Sequence, residues 1–265
     1  MKLCICGICG RMGVAVLKAA LERGHTLSGA FDAEDAYGFG SDAGSLIHVE
    51  NLNVTVSTIN EDDIGRSDGI IDFSSPAATM KLASAARVRK KPLVIGTTGF
   101  SPDEKKGIEG AGREIPVLLS PNMSLGVNLL FKLTEIAAGA LSADYDVEIF
   151  EAHHRFKKDA PSGTAKRLVE IVKAGMKSLS SAEEVFGRRG LTGERKQNEI
   201  GVLAMRGGDI VGEHTVFFTG IGERIELTHR ASSRDTYAKG AVAAIEFLDG
   251  RPAGLYSMYD VLGFQ

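Results

Sequence analysis

Short apolar runs alternate with helix-forming stretches over roughly the first 120 residues, and that alternation restricts the chain to an α/β fold. Lys2–Cys6, Thr26–Phe31, Asn53–Ser57, Gly69–Phe73, Lys91–Ile95 and Ile115–Leu119 read as strands. Most are apolar throughout rather than alternating, as strands of a parallel sheet buried on both faces are. Val14–Leu21 reads as a helix stopped by Gly24, and a second helix begins at Ser74-Ser-Pro-Ala77. Ser101-Pro-Asp-Glu104 is a capping box with proline at the first helical position. Residues 33–50, rich in Gly, Asp and Ser, read as a loop. The expected architecture is a Rossmann-like, doubly wound parallel sheet.

Ligands of such sheets bind beyond the carboxyl ends of the strands. The first strand is followed by glycines at 7, 10 and 13 and then by a helix. The dinucleotide fingerprint is G-x-G-x-x-G, and the spacing here is G-x-x-G-x-x-G. By itself this is a weak signal, and a βαβ unit without a cofactor would also carry it. The second strand ends in Asp32, 25 residues after Gly7. That is close to the roughly 20 residues expected of the acid that binds the adenine ribose. Gly96-Thr-Thr-Gly99 and Ser120-Pro-Asn-Met-Ser124 follow two further strands.

At Ser124 the pattern changes. Leu125–Leu141 reads as a helix with one apolar face, and Tyr145–His153 as a strand. A helix follows over Ala165–Lys173, then a polar segment, 178–196, with no clear period. Glu199–Arg206, Ile210–Thr219 and Glu223–Ala231 read as strands separated by Gly207-Gly-Asp209 and Gly220-Ile-Gly222, which predicts a meander of hairpins. Asp235–Leu248 is a last helix. The expected organisation is a dinucleotide-binding domain of residues 1–124 and 235–265, and an α+β domain of residues 125–234 with a mixed or antiparallel sheet.

The richest chemistry lies at Glu151-Ala-His-His-Arg-Phe-Lys-Lys-Asp-Ala-Pro-Ser-Gly-Thr164. The stretch runs from a strand end to a helix start. Unpaired backbone N–H groups and the dipole at a helix N-terminus favour negative charge. His153, His154, Arg155, Lys157 and Lys158 add donors and positive charge, so the stretch suits an anion, most simply a carboxylate. The plain structural reading is a solvated basic loop before a capped helix.

Composition excludes other classes. A formal net charge of −3 argues against general nucleic-acid binding. No apolar run of about 18 residues is present, so no membrane span is expected. The first residues, with only Lys2 and a few apolar side chains before the glycines, do not read as a secretory signal, so none is expected. Cys4, Cys6 and Cys9 read as reduced thiols of a cytoplasmic protein. Their spacing offers no fourth ligand, and no metal is expected.

EAHH-x-x-K-x-DAPSGTA resembles the signature of the dihydrodipicolinate reductase family. Gly7-x-x-Gly-Arg-Met-Gly13, Asp72-Phe-Ser74, Gly96-Thr-Thr-Gly99, Pro121-Asn-Met-Ser124 and His229-x-Ala-Ser-Ser-Arg234 resemble family motifs in the family's order, so the resemblance spans essentially the whole chain. It implies a reductase of 4-hydroxy-tetrahydrodipicolinate in the diaminopimelate route to lysine. It further implies NADH or NADPH as cofactor, a cyclic dicarboxylate as substrate, and a homotetramer formed through the second domain's sheet. Carried over, Gly7, Ile8, Cys9, Gly10, Arg11, Met12, Asp32, Gly96, Thr97, Thr98, Ser120, Pro121, Asn122 and Met123 line the cofactor. His153 and Lys157 become the acid/base pair, and His154, Gly163 and Thr164 bind substrate. Two positions depart from the pattern. Ala33 stands where members that bind a 2′-phosphate often carry arginine, and Cys9 stands where a smaller or apolar residue is common. Another small Rossmann dehydrogenase, or a non-catalytic nucleotide sensor, would account for the glycine turns. Neither would need the 151–164 stretch.

Overall fold

The computed structural model describes residues 1–264. Its strands, in chain order, are β1 (Lys2–Cys6), β2 (Thr26–Phe31), β3 (Val56–Ser57), β4 (Gly69–Asp72), β5 (Leu93–Ile95), β6 (Pro116–Leu119), β7 (Asp146–His153), β8 (Glu183–Val185), β9 (Glu199–Arg206), β10 (Gly212–Gly220), β11 (Glu223–Ala231) and β12 (Gly254–Tyr256). The helices are α1 (Arg11–Glu22), α2 (Glu61–Arg66), α3 (Pro76–Arg89), α4 (Pro102–Gly112), α5 (Leu125–Ala140), α6 (Gly163–Gly175), α7 (Asp235–Leu248) and α8 (Met258–Val261). The chain forms two compact units, one of residues 1–125 with the chain from 235 onward, the other of residues 126–234.

In the first unit all seven strands pair in parallel, in the order β12-β6-β5-β4-β1-β2-β3. The chain winds outward one way from β1 and the other way from β4, so the switch point lies between those two strands. Alternate strand residues face opposite layers. Leu3, Ile5, Ile71, Val94 and Leu118 pack with Val16 and Leu17 of α1 and with Ala241, Val242 and Ile245 of α7. Cys4, Cys6, Ile70, Leu93, Ile95 and Val117 pack with Ile64, Leu82, Ala86, Ile108 and Ala111 of α2, α3 and α4. Burying each larger side chain contributes about 1.5–3 kcal/mol relative to exposure. Cys4 and Cys6 therefore serve the core, and burial pushes their thiols up to about 11 and about 12.

The capping box at Ser101 forms as the sequence indicates, with Glu104 closing back on the Ser101 amide. The expected strand over residues 53–57 shrinks to β3, because Asn53 takes a left-handed φ of 58°. A 3₁₀ turn, Ala43–Ile47, capped by Asp42, interrupts the expected 33–50 loop.

The second unit has a mixed sheet in the order β11-β10-β7-β9-β8. Here the expected meander is corrected. β10 and β11 form a hairpin, but β9 does not pair with β10. β7 lies between them, parallel to β9 and antiparallel to β10. The polar segment after α6 also contributes β8, at the edge beside β9. Helix α6 packs on β7 and β10, and Leu168, Val169 and Val172 are buried along it. It meets α5 so closely that a Cβ on Gly175 would lie 2.7 Å from that of Ala138. Among the described residues no helix is long and apolar enough to cross a membrane.

Candidate active site

Two sites arise, one in each unit. In the first, β1 ends at the switch point in a turn that only glycine accommodates. Gly7 has φ 75°, and a Cβ there would lie 2.2 Å from the Phe73 carbonyl oxygen. A Cβ on Gly13 would lie 2.2 Å from the Gly7 oxygen, so α1 rises directly off the turn. The Gly7 and Ile8 amides donate to the Phe31 carbonyl, at 2.8 and 3.2 Å, which joins the turn to the end of β2. Asp32 follows there. Its Oδ2 accepts the Cys9 amide at 2.8 Å, and its Oδ1 accepts the Ala33 amide at 2.9 Å. Burial, helped by Asp32, pushes the Cys9 thiol up to about 11, so it stays protonated.

A groove of about 580 Å³ opens over this turn, with Gly7, Gly10, Asp32, Ala33, Ser74 and Lys81 in its lining. Bare glycine backbone, a helix start and a carboxylate at the end of β2 are what an adenine dinucleotide requires. The other expected residues divide by exposure. Thr98 is exposed, while Thr97 is buried and spent on Asp72. Ile8 and Met123 bury their side chains in the core, so only their backbone is available to a ligand. Arg11 is exposed at the first residue of α1. Ser120 is held by its own turn, its hydroxyl donating to the Asn122 carbonyl at 2.8 Å.

Asp72 organises the carboxyl ends of β4 and β5. Its buried carboxylate accepts the hydroxyls of Ser74 (2.5 Å), Thr79 (2.5 Å) and Thr97 (3.0 Å) and the Ser74 amide (3.1 Å). Burial raises its pKa, and these donors oppose the rise.

The second site is built at the end of β7. Glu151 and His153 are two residues apart on a strand and share a face. The Glu151 carboxylate has no exposed surface, and four donors meet it. His153 Nδ1 lies 2.5 Å from Oε2, and the two Arg206 Nη groups lie 2.8 Å from Oε1 and Oε2. The Ser162 amide donates to Oε1 at 3.1 Å. Burial works to raise the Glu151 pKa, but hydrogen bonds from Arg206 and His153 hold it below the usual range. His153 is itself held below the ordinary imidazole value, first by burial and then by Lys157 and Arg206, against the pull of Glu151. The neutral ring therefore keeps its proton on Nδ1, facing the carboxylate. Among the described residues, Nε2 has no hydrogen-bond partner.

The loop after β7 is fastened to the β9–β10 connection. The Gly207 amide donates to the His153 carbonyl at 3.0 Å, and the Arg155 amide to the Gly208 carbonyl at 3.1 Å. Lys157, only 21% exposed, pairs with Asp159 at 2.8 Å, and this contact lowers the Asp159 pKa. Ser162 caps α6 by accepting the Ala165 amide at 3.2 Å, so Gly163 and Thr164 form the first turn. The space in front of Gly163 is open. His154 stands beside Phe156, and its buried Nδ1 has no hydrogen-bond partner among the described residues. The structure thus gathers His153, Lys157, Gly163 and Thr164 around Glu151 and its partners.

Sequence reasoning missed His214. It is opposite Glu151 across the β7–β10 pair, 5.2 Å edge-on from the His153 ring, with Nε2 3.1 Å from the Ser162 hydroxyl. Burial, then His153, pushes its pKa down to about 3. It also missed the part played by Arg206. An arginine at a strand end after an alternating run carries no local signal of its partner.

Residues 1–123 match the family model described as dihydrodipicolinate reductase, N-terminus, and residues 126–262 the corresponding C-terminus. A 4-hydroxy-tetrahydrodipicolinate reductase of Aromatoleum aromaticum is 47% identical over 100% of this chain and 96% of that protein. One from Aquifex aeolicus is 48% identical over 99% of each. Among solved structures, a dipicolinate-bound dihydrodipicolinate reductase from Paenisporosarcina sp. TG-14 superposes with a TM-score of 0.77 at 21% identity, covering 98% of both chains.

His214 gives stability a pH dependence of definite sign. The unfolded chain takes up a proton near the ordinary value of 6.5, and the folded chain refuses it down to about 3. Stability is therefore lost as pH falls through that window, by up to about 1.4 kcal/mol per pH unit for one proton. His153 and His229, both lowered by burial, add to the loss. Urea unfolding between about pH 6.5 and 5, above the carboxylate range, is expected to show this decline. His214→Gln should make it shallower by about one proton. An unchanged slope in that variant would show that His214 is not held neutral.

Proposed function

Because the chain belongs to the dihydrodipicolinate reductase family, we propose that it reduces 4-hydroxy-tetrahydrodipicolinate to tetrahydrodipicolinate with NADH or NADPH, on the diaminopimelate route to lysine. The reacting species is the dihydrodipicolinate formed by loss of water. The observation that carries the reading is Glu151, whose carboxylate ties His153 to the first turn of α6. Proton-handling groups and an anion cradle are thereby held together in one place.

A bound nicotinamide supplies a hydride. The chain's own residues do the rest. Gly7 and Gly10 let backbone approach the pyrophosphate, and Asp32 accepts from the adenine ribose. The first-turn N–H groups of α6, with Thr164 and His154, hold a substrate carboxylate. As the conjugated imine is reduced, negative charge develops away from the attacked carbon and takes up a proton. Lys157 is the resident donor, and His153, neutral with Nε2 free, takes a proton from solvent and passes it to the lysine that has given one up. The nearby positive charge also stabilises the developing anion.

Wild-type protein is expected to consume nicotinamide absorbance with this substrate. Lys157→Ala should lower kcat by about two to four orders of magnitude, with a Tm close to wild type. An inactive wild type would refute the function, and a well-folded, fully active Lys157→Ala would remove that residue from the chemistry.

The proposal extends to cofactor choice. A carboxylate at Asp32 accepts from a free 2′-hydroxyl and repels a 2′-phosphate. Ala33 offers no compensating charge, although the exposed Lys81 lines the same groove. NADH is expected to serve at least as well as NADPH. Ala33→Arg should shift preference toward NADPH by about 1–2 kcal/mol, the value of one charge-assisted contact. Both kcat/KM and Kd, measured for each cofactor, check this. A wild type that favours NADPH about tenfold, or 1.4 kcal/mol, would overturn it and move the phosphate site to Lys81 or Arg11.

The proposed assembly is a homotetramer in the cytoplasm, joined through the second unit's sheet. The edge strand β11, nine residues long and exposed along its first four, supports this. Light scattering should give about four chain masses, the count of a common closed symmetry. A monomer at working concentration would refute the assembly, and fractionation outside the cytoplasm would refute the compartment.

A further inference from the structure

Arg206 touches no expected substrate position, yet it grips both halves of the second site. One fork holds both oxygens of the buried Glu151 carboxylate. Arg206 Nη2 also donates to the Asp159 carbonyl at 2.7 Å, and Asp159 pairs with Lys157. In the sheet Arg206 is the register partner of His153 on β9. We infer that Arg206 is a positioning residue for the reduction: by taking the Glu151 carboxylate and the 157–159 turn together, it keeps His153 an unprotonated acceptor beside a protonated Lys157. The inference rests on the proposed roles of His153 and Lys157.

Four titratable or charged groups surround His153. Glu151 faces it from β7, Arg206 from β9, His214 from β10, and Lys157 from the loop. Asp159 is occupied by Lys157, and His229 lies beyond His214 in the β10–β11 register. Among the described residues, Glu151 is the one anion bonded to the His153 ring. Alone with His153, a buried carboxylate would draw a proton onto the ring and form an ion pair. Both histidine and lysine would then be donors, and none would accept. A guanidinium meets the same carboxylate with two parallel bonds and permanent charge, so the ion pair forms there instead. His153 keeps only the Nδ1–H contact that orients it. Burial of the ring acts in the same direction.

The test follows the His153 ring by proton–carbon NMR in the full-length protein, beside kcat/KM across pH. Arg206→Met is expected to raise the His153 midpoint by about one pH unit, the low end for an opposite charge left uncompensated. The acid limb of kcat/KM should move with it, and kcat should fall more than KM rises. Arg206→Lys, which keeps charge but not the fork, should return the midpoint toward wild type while kcat stays depressed. Where Arg206→Met does not fold, Arg206→Lys and Glu151→Gln decide. The first should show the same upward shift in smaller measure, and the second a downward one, because the ring loses its anion. A midpoint that stays put in the folded variants overturns the inference, and so does a midpoint that moves without the pH profile. Failure of the underlying functional reading would look different, because ring titration needs no substrate, and an inactive wild type would still report its midpoint.

Discussion

The carboxylate of Glu151 lies near the end of β7 with no surface open to water, and a charge placed there must be met from inside the protein. Four donors from three places in the sequence meet it: His153 on the same strand, the Ser162 amide at the head of α6, and the two arms of Arg206 on β9. Each contact has a consequence for the site. The first orients an imidazole, the second fixes where the helix dipole begins, and the third joins the neighbouring strand and the 157–159 turn. Removing one partner would leave a buried charge uncompensated, which typically costs about 3–5 kcal/mol. The geometry of the substrate loop therefore follows from satisfying one buried group.

This explains the strand order of the second unit. For Arg206 to reach Glu151, β9 must lie next to β7, and for His214 to bond the helix cap, β10 must flank β7 on the other side. A meander of hairpins would pair β9 with β10 and leave β7 at an edge. Inserting β7 between them places Glu151 in the middle of a patch to which three strands contribute side chains.

Much of this was legible in the chain, and the parts that were not share a cause. The parallel sheet shows in its apolar strands and glycine turns because those signals are local. The 153–164 stretch shows because its basic residues and its cap are contiguous. Arg206 and His214 carry no local signal, since their partners are 55 and 52 residues away. Gly207-Gly-Asp209 resembles a hairpin turn, but the Gly207 amide donates to the His153 carbonyl, the Gly208 carbonyl accepts from the Arg155 amide, and the strands it joins are not neighbours. β8 was hidden in a polar segment because its three residues are partly exposed and too few to show a period. Asn53 shortened β3 through its own backbone angle, which an alternating pattern does not report.

Asp72 in the first unit and Glu151 in the second are fully buried carboxylates near strand ends, and the two units treat them in opposite ways. Asp72 is met by three hydroxyls and an amide, all uncharged. Hydroxyls can accept as well as donate, so such a shell tolerates either protonation state, and burial raises the pKa. That suits a group whose work is to join β4, β5 and the start of α3. Glu151 is met by a guanidinium and an imidazole, and its pKa is lowered despite burial. An arginine cannot accept, so this shell stabilises only the ionised form. A carboxylate locked in one charge state sends a constant field to its neighbours, and the neighbour able to respond is His153. The same side-chain chemistry is thus a mechanical latch beneath the dinucleotide groove and a fixed electrostatic reference beside the proton-handling residues, and the difference lies in whether its donors carry charge.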